Sequence, residues 1–305
     1  MSTLVSIVIP VLNGAATIGD TLCSLFAQAS KTPDFEIVVV DNGSGDDTRE
    51  IVRRFDVTLL EEAVRGPAAA RNRGLQHARG EIVAHCDADT VVTRRWLAEL
   101  IAPLADPSVA LVAGQSLGYR PETGAERYAA ASGIWDAERA TTRDPFPFVA
   151  SLNMAVRRAD ALAAGGWDQT LMTAEDVEFS HRVLRRTRGT IAYAPKAILF
   201  HKNRTSDDDL RRQAHSYGGG SAELYLRHPE TLPWTPRLSV ALAGRLALRV
   251  AAPPALALGA RLHLASRERA EFARYHRDWN VAYWRGFFDT YRTGRSVRRE
   301  RCPCA

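Results

Sequence analysis

The sequence predicts an α/β fold, in which helices flank a mostly parallel open sheet and a helical extension follows. Three observations carry this prediction. Over residues 4–113, short apolar segments typical of buried strands alternate with segments of helical periodicity, as in parallel βαβ units. Polar residues follow directly after several of these apolar segments. Beyond residue 236, the composition shifts to alanine, leucine and arginine.

The first strand covers the apolar run Leu4–Ile9 and is closed by Pro10, since proline donates no ladder hydrogen bond. Thr17 then caps a helix with an apolar stripe. The same alternation continues along this half of the chain. It predicts strands at Phe35–Val40, Val57–Leu60, Glu81–Cys86 and Val109–Ala113, and helices through residues 48–55, 65–74 and 96–101.

The second half is less regular. Thr173–Asp176 opens a helix, and two short strands, Ile191–Ala194 and Ala197–Phe200, lead to His201. From Leu238 to Leu264, the pattern predicts two short apolar helices separated by a break at Pro253–Pro254. An amphipathic segment over residues 270–291 completes the extension.

The net charge of +5 is unevenly distributed. Residues 237–301 contain 14 arginines against 5 acidic residues, which leaves 26 basic and 30 acidic residues in 1–236. Such asymmetry indicates contact with an anionic surface, either lipid headgroups or nucleic acid. The alanine- and leucine-rich composition favours lipid, so no nucleic-acid partner is expected.

The four cysteines, Cys23, Cys86, Cys302 and Cys304, lack the spacing of a zinc site and are expected to be reduced thiols. Residues 1–4 do not begin a signal peptide, and no uninterrupted apolar run approaches the roughly 18 residues that span a bilayer. We therefore expect a cytoplasmic protein, with peripheral contact at the inner face of the cell membrane.

Two carboxylates, Asp87 and Asp89, follow the predicted strand Glu81–Cys86 with one alanine between them. In extended backbone, alternate side chains share a face, so these anions repel unless a cation lies between them. A hard divalent ion that also binds phosphates suits such a pair. The alternative is a solvated loop that caps the helix starting near Thr93.

Parallel α/β sheets bind ligands beyond the carboxyl ends of their strands. Asn13, Asp41, Asp87 and Asp89 each follow a predicted strand end. We therefore expect these four side chains to converge on one crevice.

Seven segments, in this order and approximate spacing, resemble the inverting nucleotide-sugar glycosyltransferases of family 2, which have the GT-A fold. The resemblance extends over residues 4–201, about two thirds of the chain. The segments are Val8–Asn13, Asp41–Ser44, Ala70–Gly74, Asp87–Asp89, Gly165–Asp168, Glu175–Asp176 and His201.

For the donor, the resemblance implies that the nucleoside lies near the backbone of Pro10 to Asn13. Asp41 is expected to hydrogen-bond the base or ribose; the alternative is that it closes a helix-capping turn. Arg71 is expected to contact the base or the diphosphate; alternatively it pairs with Asp41.

For the metal, the resemblance implies that Asp87 and Asp89 hold Mn²⁺ or Mg²⁺ against the two phosphates, with Asp87 also lining the donor site. His201 is expected to be a further ligand, which favours Mn²⁺; the alternative is a structural histidine.

For the chemistry, the resemblance implies one in-line displacement with Asp176 as the base that accepts the acceptor's proton. A helix N-terminus is expected to keep Asp176 ionised, and Glu178 is the nearest competing base. Glu175 and Trp167 are expected near the acceptor or donor sugar, although Trp167 is equally suited to the core. His85 is expected to be a core residue.

The resemblance also implies an organisation of the chain and its substrates. Residues 1–115 form the nucleotide-sugar-binding βαβ half, 116–236 the acceptor-binding and catalytic half, and 237–305 a basic apolar helical extension. The donor is a nucleotide diphosphate sugar, with a UDP-sugar as first candidate. The acceptor is a saccharide, lipid-linked or small, and non-processive transfer is favoured.

Two rival functions are less compatible with the sequence. A sugar-nucleotide nucleotidyltransferase has a similar sheet but a glycine- and arginine-rich loop after the first strand, and Pro10–Gly14 lacks it. An inactive scaffold with a lipid- or nucleic-acid-binding tail is expected to lose the acidic pair or the base, and both are present.

Overall fold

The computed structural model describes residues 4–29, 33–143, 146–231 and 236–301. The chain divides into two compact units. The sheet unit comprises residues 1–119 and 135–202, and the helical unit comprises residues 120–134 and 203–305. Cys302 and Cys304 lie outside the described residues. The expected functional boundaries at 115/116 and 236/237 remain a prediction.

In the described residues, eight strands form one sheet in the order β3-β2-β1-β4-β7-β6-β8-β5. The pairings give six strands the same direction and reverse β5 and β7, so the sheet is mixed but mostly parallel. The strands are β1 (Val5–Val11), β2 (Phe35–Asp41), β3 (Thr58–Glu61), β4 (Ile82–Cys86), β5 (Thr90–Val92), β6 (Val109–Gly118), β7 (Asn153–Arg157) and β8 (Thr190–His201).

Strand β1 does not end at Pro10, as the sequence predicts, but continues to Val11. Its pairing with β4 stops at Val8, while its pairing with β2 runs on to Val11. Pro10 therefore lies where one side of β1 is no longer paired, and a missing N–H is tolerated there. Similarly, the two short strands expected before His201 form one strand, β8, with an irregularity in its pairing to β6.

Successive residues of β1 point to opposite sides of the sheet. Both faces therefore carry apolar side chains, and the helices of the sheet unit cover both. Ile7 and Ile9 join one hydrophobic cluster and Val8 joins the other. The helices are α1 (Ile18–Phe26), α2 (Thr48–Val52), α3 (Pro67–His77), α4 (Trp96–Ile101), α6 (Ala137–Thr141), α7 (Arg158–Ala163) and α8 (Glu175–Thr187). Thr17 precedes α1 as expected, but its hydroxyl donates to the Gly14 carbonyl and does not cap the helix.

The helical unit packs around aromatic side chains. Tyr128, Leu210 and Tyr275 form its core. A Cβ at Gly218 would meet the Tyr283 carbonyl oxygen, so glycine allows two helices of the unit to pack backbone to backbone. The helices are α5 (Gly124–Ala131), α9 (Asp207–Arg227), α10 (Pro236–Arg261) and α11 (Arg267–Arg301).

The predicted break at Pro253–Pro254 is wrong, because α10 runs through both prolines. Pro253 is buried, and Arg249 of α10 hydrogen-bonds the Asn280 side chain on α11. These tertiary contacts maintain the helix where local propensity predicts an end. Among the described residues, no helix combines the length and hydrophobicity that crossing a bilayer requires.

Candidate active site

The predicted site residues gather at one edge of the sheet. Strands β1, β2, β4, β6 and β8 share a direction, so their carboxyl ends meet there. This edge receives Asp41 at the end of β2, Asp87 after β4 and His201 at the end of β8. The convergence expected from the sequence is the consequence of this topology.

The loops after β1 and β2 are joined by hydrogen bonds. Asn13, whose φ of 52° is left-handed, donates its backbone N–H to Ser44 Oγ at 2.8 Å and accepts from the Gly45 N–H at 2.9 Å. The Gly14 N–H donates to Thr48 Oγ1 at 2.8 Å. This interlocking fixes the backbone next to Pro10, where a nucleoside is expected.

Asp41 is fully buried. Its carboxylate accepts the Ser44 N–H at 3.2 Å and lies 3.6 Å from Arg49 Nη1. The turn-closing interpretation therefore has a structural basis, and contact with a base or ribose remains a prediction.

Arg71, on α3, links two parts of the site. Its guanidinium donates from Nη1 to Glu175 Oε1 at 2.7 Å and from Nη2 to Asp87 Oδ1 at 3.1 Å. The alternative pairing with Asp41 is therefore not what the structure has. Because Arg71 is buried, this fork holds Asp87, after β4, next to the start of α8.

Glu175 and Asp176 begin α8, after Ala174 in a left-handed conformation with φ of 62°. Burial, reinforced by the charge of Asp176, raises the pKa of Glu175 to about 7 against the opposing effect of Arg71. Burial also raises the pKa of Asp176, although Arg71 and hydrogen bonds from the Val177 and Ser151 backbone oppose it.

Desolvation thus outweighs the effect of the helix start on the pKa of Asp176, and the ionisation of this carboxylate at neutral pH remains a prediction. The competing base Glu178 is engaged elsewhere. Its two carboxylate oxygens accept hydrogen bonds of 2.6 Å from Arg182. Of the acidic side chains near the start of α8, Asp176 is thus the better candidate base.

Asp89 and His201 approach each other, with Asp89 Oδ1 and His201 Nε2 separated by 3.4 Å. The pairing of β5 with β8 sets this distance, because Thr90 lies opposite His201 and the Lys202 N–H donates to the Asp89 carbonyl. Trp135 packs on the imidazole ring at 4.8 Å.

The described residues contain no group of three or more His, Cys, Asp or Glu side chains able to hold a metal. Asp87 pairs with Arg71 through one carboxylate oxygen, and the expected ligand set of Asp87, Asp89 and His201 remains a prediction. Asp89 and His201 alone fit a divalent ion that takes its other ligands from phosphates and water, as Mg²⁺ commonly does.

Trp167 is a core residue, only 2% exposed, and is not placed to stack on a sugar. Its ring stacks on Phe179 at 3.9 Å and meets the edge of His85 at 4.7 Å. His85 is buried as expected, and this burial, with the nearby Arg71 charge, lowers its pKa to about 3. The imidazole is therefore neutral.

Two asparagines that sequence reasoning left unassigned hold the site together. The side chain of Asn72 accepts a hydrogen bond from the backbone N–H of Trp167 and donates one to the backbone carbonyl of the same residue, both at 2.7 Å. Asn42 donates to the Glu62 and Val64 carbonyls. Both lie in motif segments singled out in the sequence, but the pattern gives no sign of their distant partners.

Residues 6–165 match the sequence profile of glycosyl transferase family 2. A pre-mycofactocin glycosyltransferase of Mycobacterium tuberculosis is 30% identical over 74% of this chain and 48% of its own length. Glycosyltransferase AglE of Haloferax volcanii is 29% identical over 73% of this chain and 74% of its own length. The chain thus spans about half the length of the first of these relatives.

Solved structures give the same fold. The mannosyltransferase PcManGT of Pyrobaculum calidifontis, in complex with GDP-Man and Mn²⁺, is 25% identical with a TM-score of 0.64, over 93% of this chain and 87% of its own. Glucosyl-3-phosphoglycerate synthase of Mycobacterium tuberculosis, with Mn²⁺ and UDP, is 21% identical with a TM-score of 0.53, over 74% of this chain and 80% of its own. With a GT-A sheet, a C-terminal helical region and a profile match over more than half its length, the chain belongs to glycosyl transferase family 2.

Proposed function

We propose that the protein transfers a sugar from a nucleotide diphosphate sugar to an acceptor, with inversion at the anomeric carbon and with the help of a divalent ion. One observation carries the proposal: the Arg71 guanidinium holds Asp87 and Glu175 together. Asp87 belongs to the acidic pair expected at the donor phosphates, and Glu175 adjoins Asp176, the carboxylate expected to activate the acceptor, so this bridge supports one site for donor and acceptor.

The donor binds at the loops after β1 and β2, against Pro10, Asn13 and Asp41. Their mutual hydrogen bonds preorganise this backbone, which reduces the ordering that binding would otherwise require. A UDP-sugar is the first candidate. Solved relatives are complexes with GDP-Man in one case and UDP in another, so the test below includes both nucleotides.

Asp89 and His201 hold Mn²⁺ or Mg²⁺, and the Asp87 carboxylate contributes negative charge beside them. The histidine favours Mn²⁺, the ion present in the PcManGT complex. Such an ion supplies charge neutralisation at the diphosphate leaving group.

Asp176 accepts the proton of the acceptor hydroxyl as the hydroxyl oxygen bonds to the anomeric carbon. The bond from that carbon to the diphosphate oxygen breaks in the same displacement, so the nucleotide diphosphate leaves and the configuration inverts. A raised pKa makes the Asp176 carboxylate a stronger base than a solvated aspartate. Arg71 keeps the neighbouring Glu175 in place beside the acceptor.

The acceptor is a saccharide, lipid-linked or small, and the enzyme works in the cytoplasm with peripheral attachment to the membrane. The arginine excess of residues 237–301 supports this attachment.

The deciding experiment is a melting-temperature panel of nucleoside diphosphates with and without Mn²⁺. A ligand that binds only the folded chain raises its melting temperature. We expect one diphosphate, with UDP first, to raise it only when Mn²⁺ is present. Absence of a shift with every diphosphate would contradict the proposal.

A further inference from the structure

Helix α10 carries an apolar stripe that is open to solvent. Leu262 is exposed in the turn that follows the helix. The members of the stripe recur with helical spacing, are exposed, and are Leu248, Ala251, Ala255 and Leu258. At 100° per residue they fall within an arc of about 80°. Leu248 is 71% exposed and Leu258 is 58% exposed, which is unusual for large side chains that recur on one helix face.

The other side of α10 packs within the helical unit. Pro253 is buried there, and Arg249 hydrogen-bonds Asn280 of α11. The apolar stripe therefore faces away from α11. It continues into the turn between the two helices, where Leu264 is 81% exposed.

Basic residues surround this turn. Arg261, Arg267 and Arg269 are all exposed, with Glu268 among them. Helix α10 itself contains four arginines and no acidic residue, and residues 231–267 contain no acidic residue at all. Leucines flanked by arginines suit a bilayer interface, where apolar groups enter the acyl boundary and guanidinium groups meet phosphate headgroups.

We propose that the surface at the turn between α10 and α11, made of the leucines Leu258, Leu262 and Leu264 and the arginines Arg261, Arg267 and Arg269, docks onto an anionic lipid bilayer. This deepens the proposed peripheral attachment and rests on it for the biological setting. Charge favours lipid over a second copy of the chain, because a self-complementary interface would bring the same arginines of two copies together.

The test is co-sedimentation of the full chain with vesicles containing one part phosphatidylglycerol to two parts phosphatidylcholine. We expect binding that weakens as salt is raised and no binding to pure phosphatidylcholine. The triple variant Arg261→Gln, Arg267→Gln, Arg269→Gln should bind about 10²-fold more weakly, since each basic residue contributes about fivefold. The variant Leu258→Ser, Leu262→Ser, Leu264→Ser should lose binding by tenfold or more.

Matched controls come from the sheet unit. Leu162→Ser removes an exposed leucine and Arg185→Gln with Arg186→Gln removes exposed charge, and both should bind vesicles like the wild type. Equal binding by every variant, or binding that ignores lipid charge, would overturn the proposal. The proposal would also be overturned if sedimentation equilibrium without lipid showed that the wild type is a dimer and that the leucine variant is a monomer.

The nucleoside diphosphate melting shift is measured on the same preparations. A vesicle-binding chain that binds no nucleotide would contradict only the proposed transferase activity. A chain that binds nucleotide with Mn²⁺ but ignores vesicles would contradict only the docking surface.

Discussion

Arg71 and Glu175 are 104 residues apart in the chain, yet Arg71 Nη1 donates to Glu175 Oε1 across 2.7 Å. The same guanidinium reaches Asp87 through Nη2. Few other side chains can bridge two carboxylates in this way, because the fork of arginine is planar and rigid. The bridge joins the proposed donor side and the proposed acceptor side of the site in one electrostatic unit.

Arg71→Lys should uncouple these two sides. Lysine is a point charge that satisfies one carboxylate at a time, and if the buried Glu175 is the one left unpaired, the cost is about 1–3 kcal/mol. Urea unfolding should show this loss, and turnover should fall as well. Arg73→Lys, at an exposed position of the same helix, is the control. If both substitutions had equal effects, the bridge would have no special role.

The pH dependence of stability should report Glu175. Its pKa is raised to about 7 in the folded protein, chiefly by burial, against an ordinary value near 4.3. The folded state therefore binds more protons than the unfolded state between these values, and the free energy of unfolding should fall as pH rises from about 4.5 to 7. The full effect is at most about 4 kcal/mol.

Glu175→Gln should flatten this slope, because the amide does not titrate. The exposed substitution Glu50→Gln serves as the control, and its pH profile should match that of the wild type. Denaturant unfolding at several pH values measures both. If the pH dependence of the free energy of unfolding persisted unchanged in Glu175→Gln, another group would be its cause.

The positions of the site residues were predictable where a local pattern determined them. Asp41, Asp87 and His201 follow strands whose apolar runs the sequence makes plain, and parallel strands bring such residues to one edge. The partners of Arg71 were not predictable, because a salt bridge across 104 residues leaves no periodic trace. The burial of Trp167 depends equally on distant packing, against Phe179 and His85.

Local rules also failed where tertiary contacts outweigh them. Pro253–Pro254 predicts the end of a helix, but packing of α10 against α11 maintains it. Strand β7 pairs antiparallel with β4 and β6, and nothing in its five residues distinguishes this direction from a parallel one.

Asp89→Ala should weaken nucleotide binding only when metal is present. Asp89 Oδ1 and His201 Nε2 lie 3.4 Å apart, and removing the carboxylate leaves the imidazole as a single ligand. The melting shift with UDP and Mn²⁺ should disappear, as it should for the wild type in excess chelator. Asp56→Ala, at an exposed position, should keep the shift. Full transferase activity in excess chelator would contradict a metal requirement.

The last prediction concerns Asp176 and follows from the single displacement. Asp176→Asn keeps the size of the side chain but removes its basicity, so turnover should fall by about 10² to 10⁴. Donor and metal binding should stay nearly unchanged, because the carboxylate acts on the acceptor. If Asp176 merely favours the start of α8, the same substitution would cost roughly 0.5–2 kcal/mol of stability and leave turnover largely intact. Turnover, nucleotide affinity and melting temperature measured on one preparation separate these cases.

Glu178→Gln is the matched comparison, because Glu178 lies on the same helix with its carboxylate bound to Arg182. Glu178→Gln should lower the free energy of unfolding, while turnover should stay largely intact. NMR of the product should show inverted anomeric configuration, since one displacement inverts and two would restore it. Retained configuration, or near-normal turnover of Asp176→Asn, would move the base to Glu175 or require a different mechanism, because Glu178 is already engaged by a guanidinium.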